Sequence, residues 1–164
     1  MTDPFTVRPA TIADYAQMCA LLAEVDELHR IHLPWMFKKP PAEPRSTAFF
    51  EQLIESGDSA LLVAEVGPTL VGVATALLRN SPDFALFVSQ RWCVLDNIAI
   101  VRPWRRRGIG SALIRHAEQW AQARGANWIE LGVYEFNETA RSFYRSLGYA
   151  PVSTKLRKPL HAGG

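Results

Sequence analysis

The sequence predicts an α/β fold in which a central mixed, mostly antiparallel sheet is flanked by helices. The 164 residues suit a single domain with one core. Apolar, β-branched segments alternate along the chain with segments of helical periodicity. At residues 96–111 an apolar strand pattern passes through a glycine-bearing turn into an amphipathic helix. We expect one domain over residues 1–164, with its core at 5–157 and a flexible tail at 158–164.

The first two elements follow from local signals. Residues 5–9 alternate and end in proline, which predicts a short strand. Thr11 and Asp14 have the spacing of a capping box, so a helix is expected to begin there and to continue to about Arg30.

A proline-rich loop is predicted at residues 31–45, followed by a short helix over 46–56 that Ser46 caps. Residues 60–66 and 70–78 are two strand patterns separated by a Gly-Pro turn, which indicates an antiparallel hairpin.

The next part of the chain carries the strand–turn–helix junction. Residues 84–88 are apolar and fit either a short helix or an extended loop. Residues 91–101 are predicted to form the central strand, and 108–124 an amphipathic helix that Gly125 ends.

The last predicted elements are a strand, a helix and a strand. Residues 128–134 should pair in parallel with the central strand, since a helix connects the two. Asn137 caps a short helix that Gly148 ends, and residues 149–156 are predicted to be the last strand.

Composition limits the partners that we expect. The net charge of +2 does not call for a nucleic-acid partner, and no apolar run approaches the length of a membrane span. Cys19 and Cys93 lie far apart without a Cys-x-x-Cys pair, so neither a disulfide scaffold nor a metal site is expected. These features, with the lack of a signal peptide, predict a cytoplasmic protein.

The junction at residues 105–111 is predicted to bind an anion. The first N–H groups of a helix have no partner within it, and the helix dipole adds positive potential there. Gly108 and Gly110 have no Cβ and allow close approach to the backbone. The adjacent arginines, Arg105, Arg106 and Arg107, supply charge in a geometry suited to phosphate. The alternative is a solvated, arginine-rich turn beside a helix cap.

Two motifs resemble the GCN5-related N-acetyltransferase (GNAT) family. Arg105-x-x-Gly108-x-Gly110, after an Asn-Ile-Ala-Ile strand, resembles the family signature Gln/Arg-x-x-Gly-x-Gly/Ala. Residues 137–149 resemble a second signature, Asn-x-x-Ala-x-x-Phe/Leu-Tyr-x-x-Leu-Gly-Phe/Tyr. The resemblance implies the acyl-CoA N-acyltransferase fold and transfer of acetyl from acetyl-CoA to a primary amine in a ternary complex.

The resemblance also implies a cofactor site. The central strand would pair with the pantetheine arm of acetyl-CoA. The loop after that strand and the start of the next helix would hold the pyrophosphate, and Asn137 would contact the pantetheine side. The residues so implied are Ile98, Ala99, Ile100, Arg105, Arg106, Arg107, Gly108, Ile109, Gly110, Ser111 and Asn137.

By the same resemblance, Tyr144 is the general acid that protonates the leaving thiolate. Gly132 stands where some relatives carry a basic glutamate, so the base is open: Asp96 is the first candidate, Glu130 the second, and ordered water a third. Cys93 as an acyl-carrying nucleophile has no activating partner nearby in sequence.

The acceptor stays open between small-molecule amines and peptide or protein amines. Trp35 and Phe37 either line a pocket or cover the core edge, while Lys38 and Lys39 disfavour a polycation. A non-catalytic acetyl-CoA-binding sensor or assembly module is the alternative function. A homodimer, common in the family, is left open.

Overall fold

The computed structural model describes residues 4–160. Within it the chain divides into two compact units, one ending at Gly132 and the other beginning at Val133. The single domain over 1–164 stays a prediction. Of the predicted tail at 158–164, residues 161–164 lie outside the described part.

The first unit contains a five-stranded sheet in the order β1-β2-β3-β4-β5. The first four strands pair antiparallel, and β5 joins β4 in parallel, which confirms the mixed sheet. The strands are β1 Thr6–Pro9, β2 Ser59–Val66, β3 Thr69–Asn80, β4 Arg91–Ile100 and β5 Ile129–Glu130. The helices of this unit are α1 Tyr15–His32, α2 Thr47–Glu55 and α3 Ile109–Ala123, and α4 Glu138–Ser146 lies in the second unit.

Local sequence fixes the start of the first two helices. The Thr11 N–H donates to the Asp14 carboxylate at 2.8 Å, and a 3₁₀ turn over Ile12–Asp14 leads into α1. Arg8 donates to both oxygens of Asp14, at 2.8 and 3.0 Å, which lowers the pKa of that carboxyl. The predicted capping box is confirmed. The Phe49 N–H donates to Ser46 Oγ at 3.1 Å, so Ser46 caps α2 as expected.

Helices cover both faces of the sheet. On one face, Met18 and Leu22 of α1 and Phe50 of α2 pack with Val63 and Val73 in a buried cluster. The other face receives α3 at a position where β3 has a glycine. A Cβ added at Gly72 would lie 3.0 Å from side-chain atoms of both Ile109 and Leu113. Absence of a side chain at Gly72 therefore lets α3 lie close to the strand.

The second unit is built around α4, whose two ends are as the sequence predicts. The Ala140 N–H donates to Asn137 Oδ1 at 3.1 Å. At the other end Gly148 has φ +91°, and the Tyr149 N–H donates to the Tyr144 carbonyl at 3.1 Å. These bonds form a Schellman C-cap.

Two predictions of strands are wrong: one strand is shorter than expected and the other does not form. The strand expected at 128–134 contracts to Ile129–Glu130, the two residues in register with Cys93 and Val94 of β4, and Gly132 follows after one further residue. The strand expected at 149–156 does not form: Val152 and Leu156 are 87% and 88% exposed. A strand needs a neighbouring backbone to pair with, and an apolar alternation cannot guarantee one.

Residues 84–88 form a turn in which the Phe87 N–H donates to the Phe84 carbonyl at 2.9 Å. This decides between the two predicted alternatives in favour of the loop. No helix within residues 4–160 is long and apolar enough to cross a membrane.

Candidate cofactor site and reacting groups

A β-bulge at Asp96 sets the geometry of β4. Thr75 lies opposite Asn97 and Ala76 opposite Leu95, so Asp96 is the extra residue of β4. Because side chains alternate along a strand, one extra residue reverses the alternation beyond it. Leu95 and Ile98 consequently lie on the same face of the sheet, the face covered by α3.

The outer edge of β4 is unpaired beyond the bulge in the first unit. β5 reaches only Cys93 and Val94. The Val101 N–H donates to the Val71 carbonyl at 3.0 Å, and antiparallel bonding alternates, so Ala99 also bonds toward β3. Ile98 and Ile100 direct their backbone groups to the outer edge. Of the three residues predicted to meet the pantetheine arm, Ala99 has its backbone groups engaged in the sheet.

The loop after β4 contains two residues with positive φ shortly before α3 begins. Arg106 has φ +64° and Gly108 has φ +84°, and α3 begins at the next residue, Ile109. Positive φ at alternate positions curls successive N–H groups into a concavity. Gly108 is the N-cap and no side chain caps α3, so the N–H groups of Ile109, Gly110 and Ser111 point out of the helix start without an intrahelical acceptor.

The three arginines of this loop are held differently. Arg105 Nε donates to the Ile100 carbonyl at 2.9 Å, and its Nη2 lies 3.4 Å from Glu24 of α1. The Arg107 guanidinium lies over the Trp104 ring, 4.6 Å from its centroid. Arg106 is exposed. The sequence analysis did not predict the contact of Glu24 with Arg105 or that of Trp104 with Arg107, because no sequence motif marks either pair.

Tyr144 lies on α4 with its ring packed between two aromatic neighbours. The ring centroids of Phe143 and Tyr149 are 5.4 and 5.8 Å away. Burial raises the pKa of Tyr144 to about 12, so the phenol keeps its proton at neutral pH and is available as a donor. Asn137 uses its Oδ1 to cap α4, which leaves its amide nitrogen for other partners.

The candidate bases differ in their surroundings. Asp96 is exposed at the bulge and accepts from Asn97 Nδ2 at 2.7 Å. Glu130 accepts from Trp128 Nε1 at 3.1 Å, which engages one of its oxygens.

Cys93 lies in a setting that disfavours a nucleophile. It is completely buried, and that burial raises the pKa of its thiol to about 11. The reactive thiolate is therefore scarce at neutral pH. Among residues 4–160 no group of three or more His, Cys, Asp or Glu side chains is arranged to hold a metal ion.

The segments predicted to meet an acceptor are largely exposed. Trp35 is 64% exposed, so it does not cover the core edge. Phe37 is half-buried and stacks on His29 with 5.5 Å between ring centroids. The turn at 84–88 exposes more than half of each large apolar side chain, namely Phe84, Leu86, Phe87 and Val88.

The comparison that decides the family covers both motifs. The sequence model described as "Acetyltransferase (GNAT) family" matches residues 25–149, which contain the loop after β4 and the stretch from Asn137 to Tyr149. The chain belongs to the GNAT family.

Curated GNAT relatives align along most of the chain. The uncharacterized N-acetyltransferase YhfO of Bacillus subtilis (strain 168) is 25% identical over 87% of this chain and 88% of its own length. The phosphinothricin N-acetyltransferase of Streptomyces viridochromogenes is 26% identical over 98% of this chain and 82% of its own. Relatives of this chain are thus N-acetyltransferases.

Solved structures show the same GNAT fold. A mutant of the BH1408 protein from Bacillus halodurans superimposes with a TM-score of 0.89 at 23% identity, covering 95% of this chain and 99% of that one. The aminoglycoside N-acetyltransferase AAC(6')-Iy in complex with CoA gives a TM-score of 0.78 at 15% identity, covering 99% and 98%. At these identities the likeness concerns the fold.

Proposed function

We propose that this GNAT protein transfers the acetyl group of acetyl-CoA to a primary amine by direct attack. One observation carries the proposal: the family's loop motif leads from β4, whose outer edge beyond Val94 has no strand partner within the first unit, to the uncapped start of α3. That arrangement offers backbone donors to a pyrophosphate and a strand edge to a peptide-like arm.

The two halves of this arrangement suit the two ends of the co-substrate. The N–H groups of Arg106 to Gly110, with Ser111 at the edge, would bind the pyrophosphate. The N–H of Arg105, also predicted to bind it, already donates to the Arg102 carbonyl at 3.2 Å. The pantetheine arm contains amides. The backbone groups of Ile98 and the N–H of Ile100 on the outer edge of β4 would pair with them as an added strand does, while the Ile100 carbonyl already accepts from Arg105 Nε. The amide nitrogen of Asn137 would contact the same arm.

The reaction needs two proton losses at nitrogen and one proton gain at sulfur. The amine must lose a proton before its nitrogen can attack the thioester carbon, since a free amine of pKa ~10 is mostly protonated at pH 7. The new C–N bond forms, the C–S bond breaks, and the thiolate leaves with the electron pair. The nitrogen loses a second proton as it becomes an amide, and a proton goes to sulfur. The products are an amide and a thiol, with one proton released to solvent overall.

We assign the donation to sulfur to Tyr144, because it stands at the tyrosine of the family's second motif. Its phenol is protonated at neutral pH, although burial raises its pKa to about 12 and so makes it a weaker acid than a free tyrosine. The phenolate formed would recover a proton from water. The amine's proton would pass to Asp96, directly or through water; its exposure at the bulge makes it reachable from solvent. Cys93 takes no part, because its thiol is buried and stays protonated.

We propose a small-molecule acceptor. The support is that relatives are named for such substrates: phosphinothricin at 26% identity over 98% of this chain, and aminoglycosides at 32% identity over 42%. Exposed Trp35 suits a partly apolar molecule, and exposed Lys38 and Lys39 suit an anionic group more than a polycation.

Calorimetric titration with acetyl-CoA tests the co-substrate, with ATP and NADH as controls. Wild-type protein should bind acetyl-CoA selectively in the micromolar range, and Gly108→Glu should abolish the binding. A side chain at Gly108 has free space around it, so the added carboxylate acts mainly through backbone strain and through repulsion of phosphate.

Gly125→Glu is the matched control. Gly125 has φ +79° and equally open space, but it lies at the opposite end of α3. It should bind acetyl-CoA like wild type at a similar loss of thermal stability. Equal loss of binding in both variants, or a folded wild type that binds no acetyl-CoA, would contradict the proposal. Binding without turnover across a panel of amines would leave the sensor function instead.

A further inference from the structure

The Arg105 side chain makes two directed contacts that lead away from the anion loop. Its Nε donates to the Ile100 carbonyl at 2.9 Å. Its Nη2 lies 3.4 Å from Glu24 Oε2, which belongs to α1. Its own backbone N–H donates to the Arg102 carbonyl at 3.2 Å, closing the 3₁₀ turn over Arg102–Trp104. One residue thus joins the end of β4, helix α1 and the turn before α3.

The Ile100 carbonyl has no strand partner for this bond. Ile100 directs its backbone groups to the outer edge of β4, and β5 ends its pairing at Val94. Arg105 Nε fills that acceptor from within the same chain segment. The bond joins the last residue of β4 to the start of the loop, and so spans the point where the chain turns out of the sheet.

We infer that Arg105 is a positioning residue, whose side chain orients the anion loop instead of contacting phosphate. The inference deepens the proposed function and rests on it for the identity of the ligand. Its Nε is committed to a carbonyl, and its charge faces the carboxylate of Glu24. The charge offered to phosphate comes instead from the backbone concavity and from Arg106, which is exposed and has no hydrogen bond or ion pair with another residue among 4–160.

A pair of neutral substitutions separates positioning from charge. Glutamine places its amide nitrogen the same number of bonds from Cα as arginine Nε, so Arg105→Gln keeps a donor for the Ile100 carbonyl and loses the charge. Methionine has similar length without a donor. We expect Arg105→Met to raise the Kd for acetyl-CoA about 5-fold, the scale of one lost hydrogen bond. Arg105→Gln should keep the Kd within about 2-fold of the wild-type value.

Arg106→Gln is the matched charge control. If Arg106 supplies charge to phosphate, its loss should weaken acetyl-CoA binding at low salt, and the difference should shrink at high salt because ions screen an exposed charge. Arg105→Gln should show the salt dependence of wild type. Glu24→Gln should change Kd by less than about 3-fold, since the ion pair is half exposed.

Equal weakening in Arg105→Gln and Arg105→Met, with a salt dependence reduced in both, would overturn the inference and make Arg105 a phosphate ligand. Hydrogen exchange of ligand-free protein gives a second measurement that needs no acetyl-CoA. The bonded amides of Trp104, Arg105 and Ala112 should exchange faster in Arg105→Met and as in wild type in Arg105→Gln. Equal exchange in the two variants would also refute the positioning role, whereas a wild type that does not bind acetyl-CoA refutes only the proposed function.

Discussion

The two units of the chain use the same local devices to end a helix but differ in burial. Helix α3 of the first unit ends at Gly125 with φ +79°, and α4 of the second ends at Gly148 with φ +91°. Six side chains of α3 are buried, and none of α4 is. From Val133 to residue 160 no described side chain is fully buried. Local sequence therefore fixes where a helix ends, while burial depends on what packs against it.

The difference suggests a division of roles. The first unit carries the apolar core that stabilises the fold, along with the strand edge and the loop that we propose to bind acetyl-CoA. The second carries Tyr144 and Asn137 on a helix that local bonds define at both ends. We therefore expect substitutions in the buried core of the first unit to act chiefly on stability, and those at Tyr144 to act on turnover.

The largest expected effect is on the free energy of unfolding, and a Leu→Ala substitution in each unit measures it. Leu113→Ala in α3 removes a completely buried side chain and should lower the free energy of unfolding by about 2–5 kcal/mol. Leu156→Ala changes a side chain that is 88% exposed and should alter it by less than about 0.5 kcal/mol. Urea denaturation followed by circular dichroism measures both. A large loss at Leu156 would show that the second unit buries surface of its own in solution.

Tyr144→Phe should reduce kcat about 100-fold on an acceptor found by screening, the usual scale for one general acid. The pKa of Tyr144 is raised to about 12, so its phenol stays protonated below about pH 10. The reduction should accordingly be the same at every pH from 6 to ~10.

The control for Tyr144 is Tyr149→Phe, which removes the hydroxyl of the adjacent ring. Its kcat should stay within about 2-fold of wild type. An unchanged kcat in Tyr144→Phe would exclude this residue as the acid, and equal losses in both variants would point to packing of the ring pair.

The smallest of the three expected effects is the loss of stability on replacing Asp14 in the first unit. Arg8 and the Thr11 N–H bind Asp14, which lowers the pKa of its carboxyl in the folded protein. The resulting stability is present above the unfolded pKa of ~3.9 and is lost as pH falls through the lower folded value. Asp14→Asn should cost about 2 kcal/mol at pH 7, and the cost should vanish at low pH.

Unfolding measured at pH 7 and at pH 2–3 checks this, with exposed Asp83→Asn as the neutral control. A cost that persists undiminished in acid would mean that Asp14 stabilises α1 without its charge. If Asp14→Asn lowers the free energy of unfolding at pH 7 no more than Asp83→Asn does, the ion pair of Asp14 with Arg8 does not stabilise the fold.

Much of the fold was predictable from the sequence because its signals are local. Thr11 with Asp14, Ser46 and Asn137 were identified as capping residues, and each makes a predicted capping bond. The hairpin of β2 and β3 followed from the apolar runs on either side of a Gly-Pro turn. The loop at 105–110 was located by its glycines, and the positive φ of Gly108 agrees with that reading.

The rest depended on partners distant in sequence. Residues 149–156 have a strand-like pattern, but the described structure gives them no strand. The sequence does not mark Asp96 as a bulge, since the bulge is a mismatch with Thr75 and Ala76 across the ladder. The contact of Arg105 with Glu24 likewise joins residues that only the packing of α1 beside the loop brings together.

The sequence by itself determined the family motifs, the helix caps and the order of the elements as far as α4, because capping bonds, turns and periodicity act within a few residues. Tertiary structure decided which backbone groups face the open edge of β4, which arginine is engaged by a carbonyl, and that Cys93 is buried. Those outcomes depend on strand register and burial, which arise only when distant segments pack.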